Sequence, residues 1–177
     1  QGKTGAYPKL LIPILELASD LEAVKMMVQE PSLYPEALKV MQLNKFDKIE
    51  FKKRFNAFAD NIYYSDPDRA NLYLGGGGEC TKMRNFATTH LTVYSAVLAL
   101  PKTAQSLAYL LRNEILDNVE DLRAELAYLI KNPNDSSTDD LKRFAAQANF
   151  AMQQYLEIVP PNELQQARDY IAQSSSS

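Results

Sequence analysis

The chain has 177 residues, 46% hydrophobic and 23% charged, which is enough for one domain with a buried core and ordinary for a globular protein. Its formal net charge of −3 provides no overall field to draw it to nucleic acid, and no stretch of about 20 apolar residues is present to cross a bilayer. Residues 1–173 read as a single helical domain and residues 174–177, all serine, as a flexible tail. The chain opens on Gln1 rather than Met, as expected of a mature form whose targeting segment has been removed, or of an edited sequence.

Four of the six glycines stand together at residues 75–78, so the rest of the chain is nearly glycine-free, as long helices favour. Residues 14–29 place Leu15, Ala18, Leu21, Val24 and Val28 on one stripe, a helix with Pro13 in its first turn or kinking a slightly longer helix. Residues 35–43 form a short second helix. Asp47, with Glu50 three positions on, resembles a capping box with Asp in the cap role. It opens a helix over 48–64 that carries Phe51, Phe55, Phe58 and Ile62 on one face. Asp66 as N-cap and Pro67 at the first helical position start a short helix that stops at Gly75.

The longest helix is expected over 103–131, lined by Leu107, Leu110, Leu111, Ile115, Val119, Leu122, Leu126 and Leu129. Asn132-Pro133-Asn134-Asp135 breaks it. Ser137 with Asp140 opens a helix over 139–158, with Leu141, Phe144, Ala148, Met152 and Tyr155 inward. After Pro160-Pro161-Asn162, residues 163–172 form a last short helix with Leu164, Ala167, Tyr170 and Ile171. Residues 82–100 are the exception, being β-prone with partial alternation, and 78–101 read as an irregular insertion. The expected fold is all-α: an up-down four-helix bundle of 14–29, 48–64, 103–131 and 139–158, with short extra helices and the insertion between bundle helices two and three.

No catalytic constellation emerges. A phosphate-cradling loop needs Gly-Lys-Ser/Thr between a strand and a helix, but neither Gly77 nor Gly78 precedes Lys, and Met83 follows Lys82. The glycine run therefore reads as a spacer. Cys80 and His90 are each the sole residue of their type, with no orienting third group in evidence for a nucleophilic pair. The same scarcity removes a Cys/His zinc site and a di-iron bundle site, so no metal or other cofactor is expected. Glu114, Asp117, Asp121 and Glu125 step along one face of the longest helix, either as a solvated face or as a surface for a cation or a basic partner.

Two groups suit an interaction surface instead. Lys45, Lys48, Lys52, Lys53 and Arg54, diluted by Asp47 and Glu50, carry a local charge of +3 that fits an acidic protein or an anionic lipid surface, or simply a solvated helix face. Tyr63, Tyr64 and Tyr73 flank Asp66, Asp68 and Arg69, and tyrosine and arginine are frequent interface anchors. The partner-binding candidates are Lys52, Lys53, Arg54, Tyr63, Tyr64 and Arg69.

Three stretches carry a likeness to a known group: NIYYSDPDRANLYLGGG at residues 61–77, YLLRNEILDNVEDLRAELAYLIKN at 109–132 and YLEIVPPNELQQARDYI at 155–171. In them the chain resembles the extrinsic lumenal subunits of photosystem II, the PsbQ-like four-helix proteins, and most closely the additional diatom-type subunit. The insertion departs from that pattern. The resemblance implies a nuclear-encoded protein imported into the plastid and lodged in the thylakoid lumen, peripheral to the membrane. It implies docking to photosystem II core subunits and other extrinsic proteins, where such subunits stabilise the oxygen-evolving manganese–calcium cluster and help retain calcium and chloride without ligating the cluster or acting as enzymes. The rival readings are a small enzyme built on Cys80 and His90, and a free-standing helical adaptor or lipid-binding bundle.

Overall fold

The computed structural model describes residues 7–61, 101–134 and 137–174. Among them every regular element is helical. Helix α1 is Tyr7–Met27, α2 Tyr34–Met41, α3 Lys48–Ala59, α4 Pro101–Lys131, α5 Asp139–Ile158 and α6 Pro161–Ser174, with single 3-10 turns at Pro31–Leu33 and Asn44–Phe46. The short helix expected to end at Gly75, the insertion up to residue 100, and Ile62 lie outside the described residues.

Local chemistry sets the helix ends. Asp47 is extended and its carboxylate accepts from the Ile49 amide at 3.0 Å, closing one of the orphan donors of α3. The expected box is only half made, because Glu50 turns outward to Lys53, 3.7 Å away. At the other end of α3, Gln105 of α4 donates to the Ala59 carbonyl at 3.2 Å and Asn61 to the Ala57 carbonyl at 2.7 Å, which satisfies acceptors the helix leaves open. Helix α1 absorbs Pro13 in its interior and so begins at Tyr7, earlier than the expected start at 14. Helix α6 extends through Ser174, into the stretch read as tail, and the Ser174 hydroxyl donates back to the Ile171 carbonyl at 2.8 Å.

Packing follows the apolar stripes, with shifts. Helix α1 lies against α2, α3, α5 and α6, and α4 lies against α2, α3 and α5. Because α1 has so many neighbours it buries a wide face: Leu11, Ile14 and Leu17 are fully inside along with Leu21, Val24 and Val28, while Leu15 and Ala18 sit at the margin. In α4 the expected stripe holds from Leu111 to Leu129, but Leu110 points out, 66% exposed, and Leu116 takes a core place. In α5 the buried column contains Ala145, Ala148 and Ala151, small residues that let the α4 and α5 backbones approach closely.

The centre of the core is aromatic. Phe51 and Phe55 stack with centroids 4.6 Å apart, and Tyr155 of α5 meets Phe55 edge-on at 4.7 Å and 83°. The Tyr155 hydroxyl is fully buried and donates to the Phe55 carbonyl at 3.3 Å. The one buried polar residue among those described, Asn149, donates to the Leu21 and Ala145 carbonyls at 3.0 and 2.8 Å and thereby ties α5 to α1.

These contacts set an order of severity. Phe55→Ala lowers the unfolding free energy by about 3–5 kcal/mol through the cavity it leaves. Tyr155→Phe, which keeps the ring, costs only about 0.5–1.5 kcal/mol. Urea denaturation of both variants is the check, and equal losses would place the stabilisation in the hydroxyl rather than in ring packing.

Candidate functional site

The basic residues of α3 do not share one face. At 3.6 residues per turn, Lys48 and Lys52 stack on one line and Ile49 and Lys53 on the next, both turned from the phenylalanine seam. Arg54 falls on the opposite flank from Lys52, is half-buried, and its Nε is buried without a hydrogen-bond partner among the described residues. Of the three predicted contact residues in α3, Lys53 is exposed, while Lys52 and Arg54 are half-buried on either side of it. Tyr63, Tyr64 and Arg69, like Cys80, His90 and the glycine run, lie outside the described residues.

The strip is only partly neutralised. Lys48 lies 3.7 Å from Glu120 of α4, Lys45 pairs with Asp20 of α1, and Lys53 lies 3.7 Å from Glu50 of its own helix. Lys52 is in no ion pair among the described residues. Sequence reasoning missed Ile49, which is 75% exposed between these lysines. The available signal was its spacing, two positions before Phe51 and so off the aromatic stripe. Lysines around an exposed aliphatic residue suit a docking surface, since the charges orient an acidic partner and the aliphatic group contributes area.

Next to the strip, α3 and α4 are pinned by a polar cluster. Arg112 reaches the Asn56 side chain and lies over the Tyr109 ring, 5.1 Å from its centroid, and the Tyr109 hydroxyl donates to Asp60. That hydrogen bond, and then burial and the negative charge of Asp60, raise the Tyr109 phenol above its usual value. Arg123 donates to the Phe46 carbonyl at 2.9 Å and holds the 3-10 turn before α3 against α4. The three ties keep α3 and its lysine strip in a fixed position.

A second surface feature lies between α4 and α5. An open groove of about 490 Å³ is lined by Leu110, Asn113, Glu114, Asp117, Asn118 and Asp121 of α4 and by Arg143, Phe144 and Gln147 of α5. Three of the four stepped carboxylates line it, and Glu125 does not. Among the described residues no group of three or more His, Cys, Asp or Glu is placed to hold a metal ion, and no helix is long and apolar enough to cross a membrane. Comparisons of the chain with protein-family models, with curated proteins and with solved structures return no match.

One half-buried acid stands apart from both surfaces. Glu163 occupies the first turn of α6, where its amide donates to the Pro160 carbonyl at 3.0 Å. Pro160 has no N–H for the carboxylate to accept from, and Glu163 Oε2 is buried without a partner among the described residues. Burial pushes the Glu163 carboxyl above its ordinary 4.5. The folded protein therefore holds this proton to higher pH than the unfolded chain, so the contribution of Glu163 to stability is fully present below the ordinary carboxylate value and is lost as pH rises through the raised one. Glu163→Gln should accordingly raise the thermal midpoint near pH 7 and leave it almost unchanged near pH 4, about where an unperturbed glutamate titrates. A gain of the same size at both pH values would contradict the burial account.

Proposed function

We propose that this chain is a non-catalytic extrinsic subunit of photosystem II, peripheral to the thylakoid membrane on its lumenal side. It docks to core and other extrinsic subunits, and the surface it buries shields the oxygen-evolving manganese–calcium cluster and helps retain calcium and chloride. The observation that carries the reading is the sequence likeness at residues 61–77, 109–132 and 155–171, and the lysine strip of α3 supplies a surface for it.

The arrangement we propose for the helices is an up-down four-helix bundle of α1, α3, α4 and α5. Two features support it. The packed pairs α1–α3, α3–α4, α4–α5 and α5–α1 close a ring. Lys48 meets Glu120 near one end of α3, while Asn56 meets Arg112 and Asp60 meets Tyr109 near the other, so α3 and α4 run antiparallel. In this arrangement α2 and α6 are the short extra helices outside the ring. A rigid body of this kind acts by exclusion and positioning and requires no reactive group.

The lysine strip also favours a second reading. Ile49 among Lys48, Lys52 and Lys53 suits an anionic lipid surface, where each lysine contributes about 1 kcal/mol, and a lipid-binding or adaptor bundle would use it.

Reconstitution separates the two. Photosystem II particles from a diatom, stripped of extrinsic proteins, should rebind the chain and recover oxygen evolution at low calcium and chloride. The double reversal Lys52→Glu/Lys53→Glu should weaken rebinding by about tenfold, whereas Arg54→Glu, on the other flank, should change it less. Failure to rebind with the other extrinsic subunits present, together with binding to phosphatidylglycerol vesicles, would replace this function with the lipid-binding one.

A further inference from the structure

The groove between α4 and α5 has a composition that the lysine strip does not share. Glu114, Asp117 and Asp121 step by three and four residues, so they form one row about 10 Å long on the α4 side. None of the three is in an ion pair among the described residues, although other carboxylates of the surface are paired: Asp20, Glu22, Glu50, Glu120 and Asp140 each meet a lysine or arginine. The only cation among the described residues that line the groove, Arg143, is already engaged. It pairs with Asp140 at 2.8 Å and lies over the Phe144 ring at 5.0 Å. The groove thus keeps three carboxylates against one guanidinium that is satisfied elsewhere.

Apolar surface accompanies this charge. Leu110 lines the groove and is 66% exposed, and Phe144 is half-buried on the α5 wall of the same groove. Phe150, 59% exposed, stands three residues beyond Gln147 on the same helix. Large apolar side chains on a polar rim mark contact surfaces. Two parallel ridges with a trough between them match the helix-in-groove mode of peptide recognition.

We propose that this groove is a docking site for a cationic amphipathic helical segment of another protein, its apolar side resting on Leu110 and Phe144 and its basic side facing Glu114, Asp117 and Asp121. The charge selects this occupant. Phosphate-bearing ligands, lipid headgroups and nucleic acid are repelled by the uncompensated carboxylates. The row does not suit a bare metal ion, because it is spread along a helix and gives no cluster of ligands among the described residues. Basic residues at one-turn spacing on a partner helix would meet the carboxylate row in register. The inference does not rest on the photosystem reading, since it concerns a different face of the protein.

The probe is a fluorescein-labelled peptide of lysine and leucine at helical spacing, about five turns long, with a glutamate-leucine peptide of the same length as its counterpart. Binding of the full chain is measured by fluorescence anisotropy for the parent, for Glu114→Gln/Asp117→Asn/Asp121→Asn, for Leu110→Ser, and for Glu16→Gln/Glu22→Gln/Glu36→Gln. The last variant removes the same charge from exposed positions on α1 and α2. The groove triple variant should bind the lysine peptide about tenfold more weakly, Leu110→Ser about threefold more weakly, and the distant triple variant within about twofold of the parent, with no binding of the glutamate peptide. Equal weakening by both triple variants would show general charge attraction and overturn the site. So would an absence of lysine-peptide binding to the parent. Concentration-dependent dimers in sedimentation that the peptide disperses would assign the groove to a second copy of this chain, whose own lysine strip has suitable chemistry, and would overturn the proposal as well.

Discussion

The edge-on contact between Phe55 and Tyr155 is the constraint on which the remaining geometry depends. It joins α3 to α5, two helices whose backbones have little direct contact, and it does so through a ring face, a ring edge and a hydroxyl that reaches the Phe55 carbonyl. A phenol buried that deeply would cost stability if its oxygen found no partner, so the position of the α3 backbone and the identity of residue 155 are linked. With Phe51 stacked behind Phe55 and Phe58 tilted against Tyr155 at 6.3 Å, the aromatic group fixes the rotation of α3 about its own axis. That rotation turns Lys48, Ile49 and Lys53 outward and leaves Lys52 and Arg54 half-buried on the two flanks.

The second level of order is polar and peripheral. Lys48 with Glu120, Arg112 with Asn56, Tyr109 with Asp60 and Arg123 with the Phe46 carbonyl run along the α3–α4 seam. Each such contact is worth little in water, but together they prevent α3 from sliding along α4. Asn149 performs the comparable task on the far side, holding α5 against the Leu21 carbonyl of α1. The core supplies affinity between helices and the polar contacts supply register, so the charged strip and the acidic groove are both carried on surfaces of fixed shape.

The helices themselves were legible because nearly every one has a period and a boundary signal. Asp47 announced α3, the Asn132-Pro133 break separated α4 from α5, and the aromatic spacing of α3 gave its buried face correctly. Pro13 left the start of α1 open between a first-turn position and a longer helix, and the longer helix forms, since a proline inside a well-packed helix is tolerated when tertiary contact outweighs the lost hydrogen bond. The surfaces were harder to read. Leu110 reads with the leucine stripe yet points out, because it precedes the buried Leu111 by one position, about 100° around the helix and away from Ile115 and Val119. Asn149 had no mark in the sequence to separate it from a solvated polar residue, as its burial depends on a carbonyl 128 positions away. The stepped carboxylates of α4 were visible as a row, but the groove beside them exists only once α5 is packed against α4.

The proposed lumenal docking would set the lysine strip against an acidic surface of photosystem II, and it is tested most directly in the native membrane. Thylakoids of a diatom, in which the protein is followed with an antibody, would be solubilised in mild detergent and separated on a density gradient, before and after a wash in concentrated salt. The account predicts that the protein sediments with photosystem II before the wash and leaves it afterwards, because salt screens the charges of an exposed basic surface. A protein that runs free of photosystem II in the unwashed gradient, or that is recovered outside the thylakoid fraction, would contradict it.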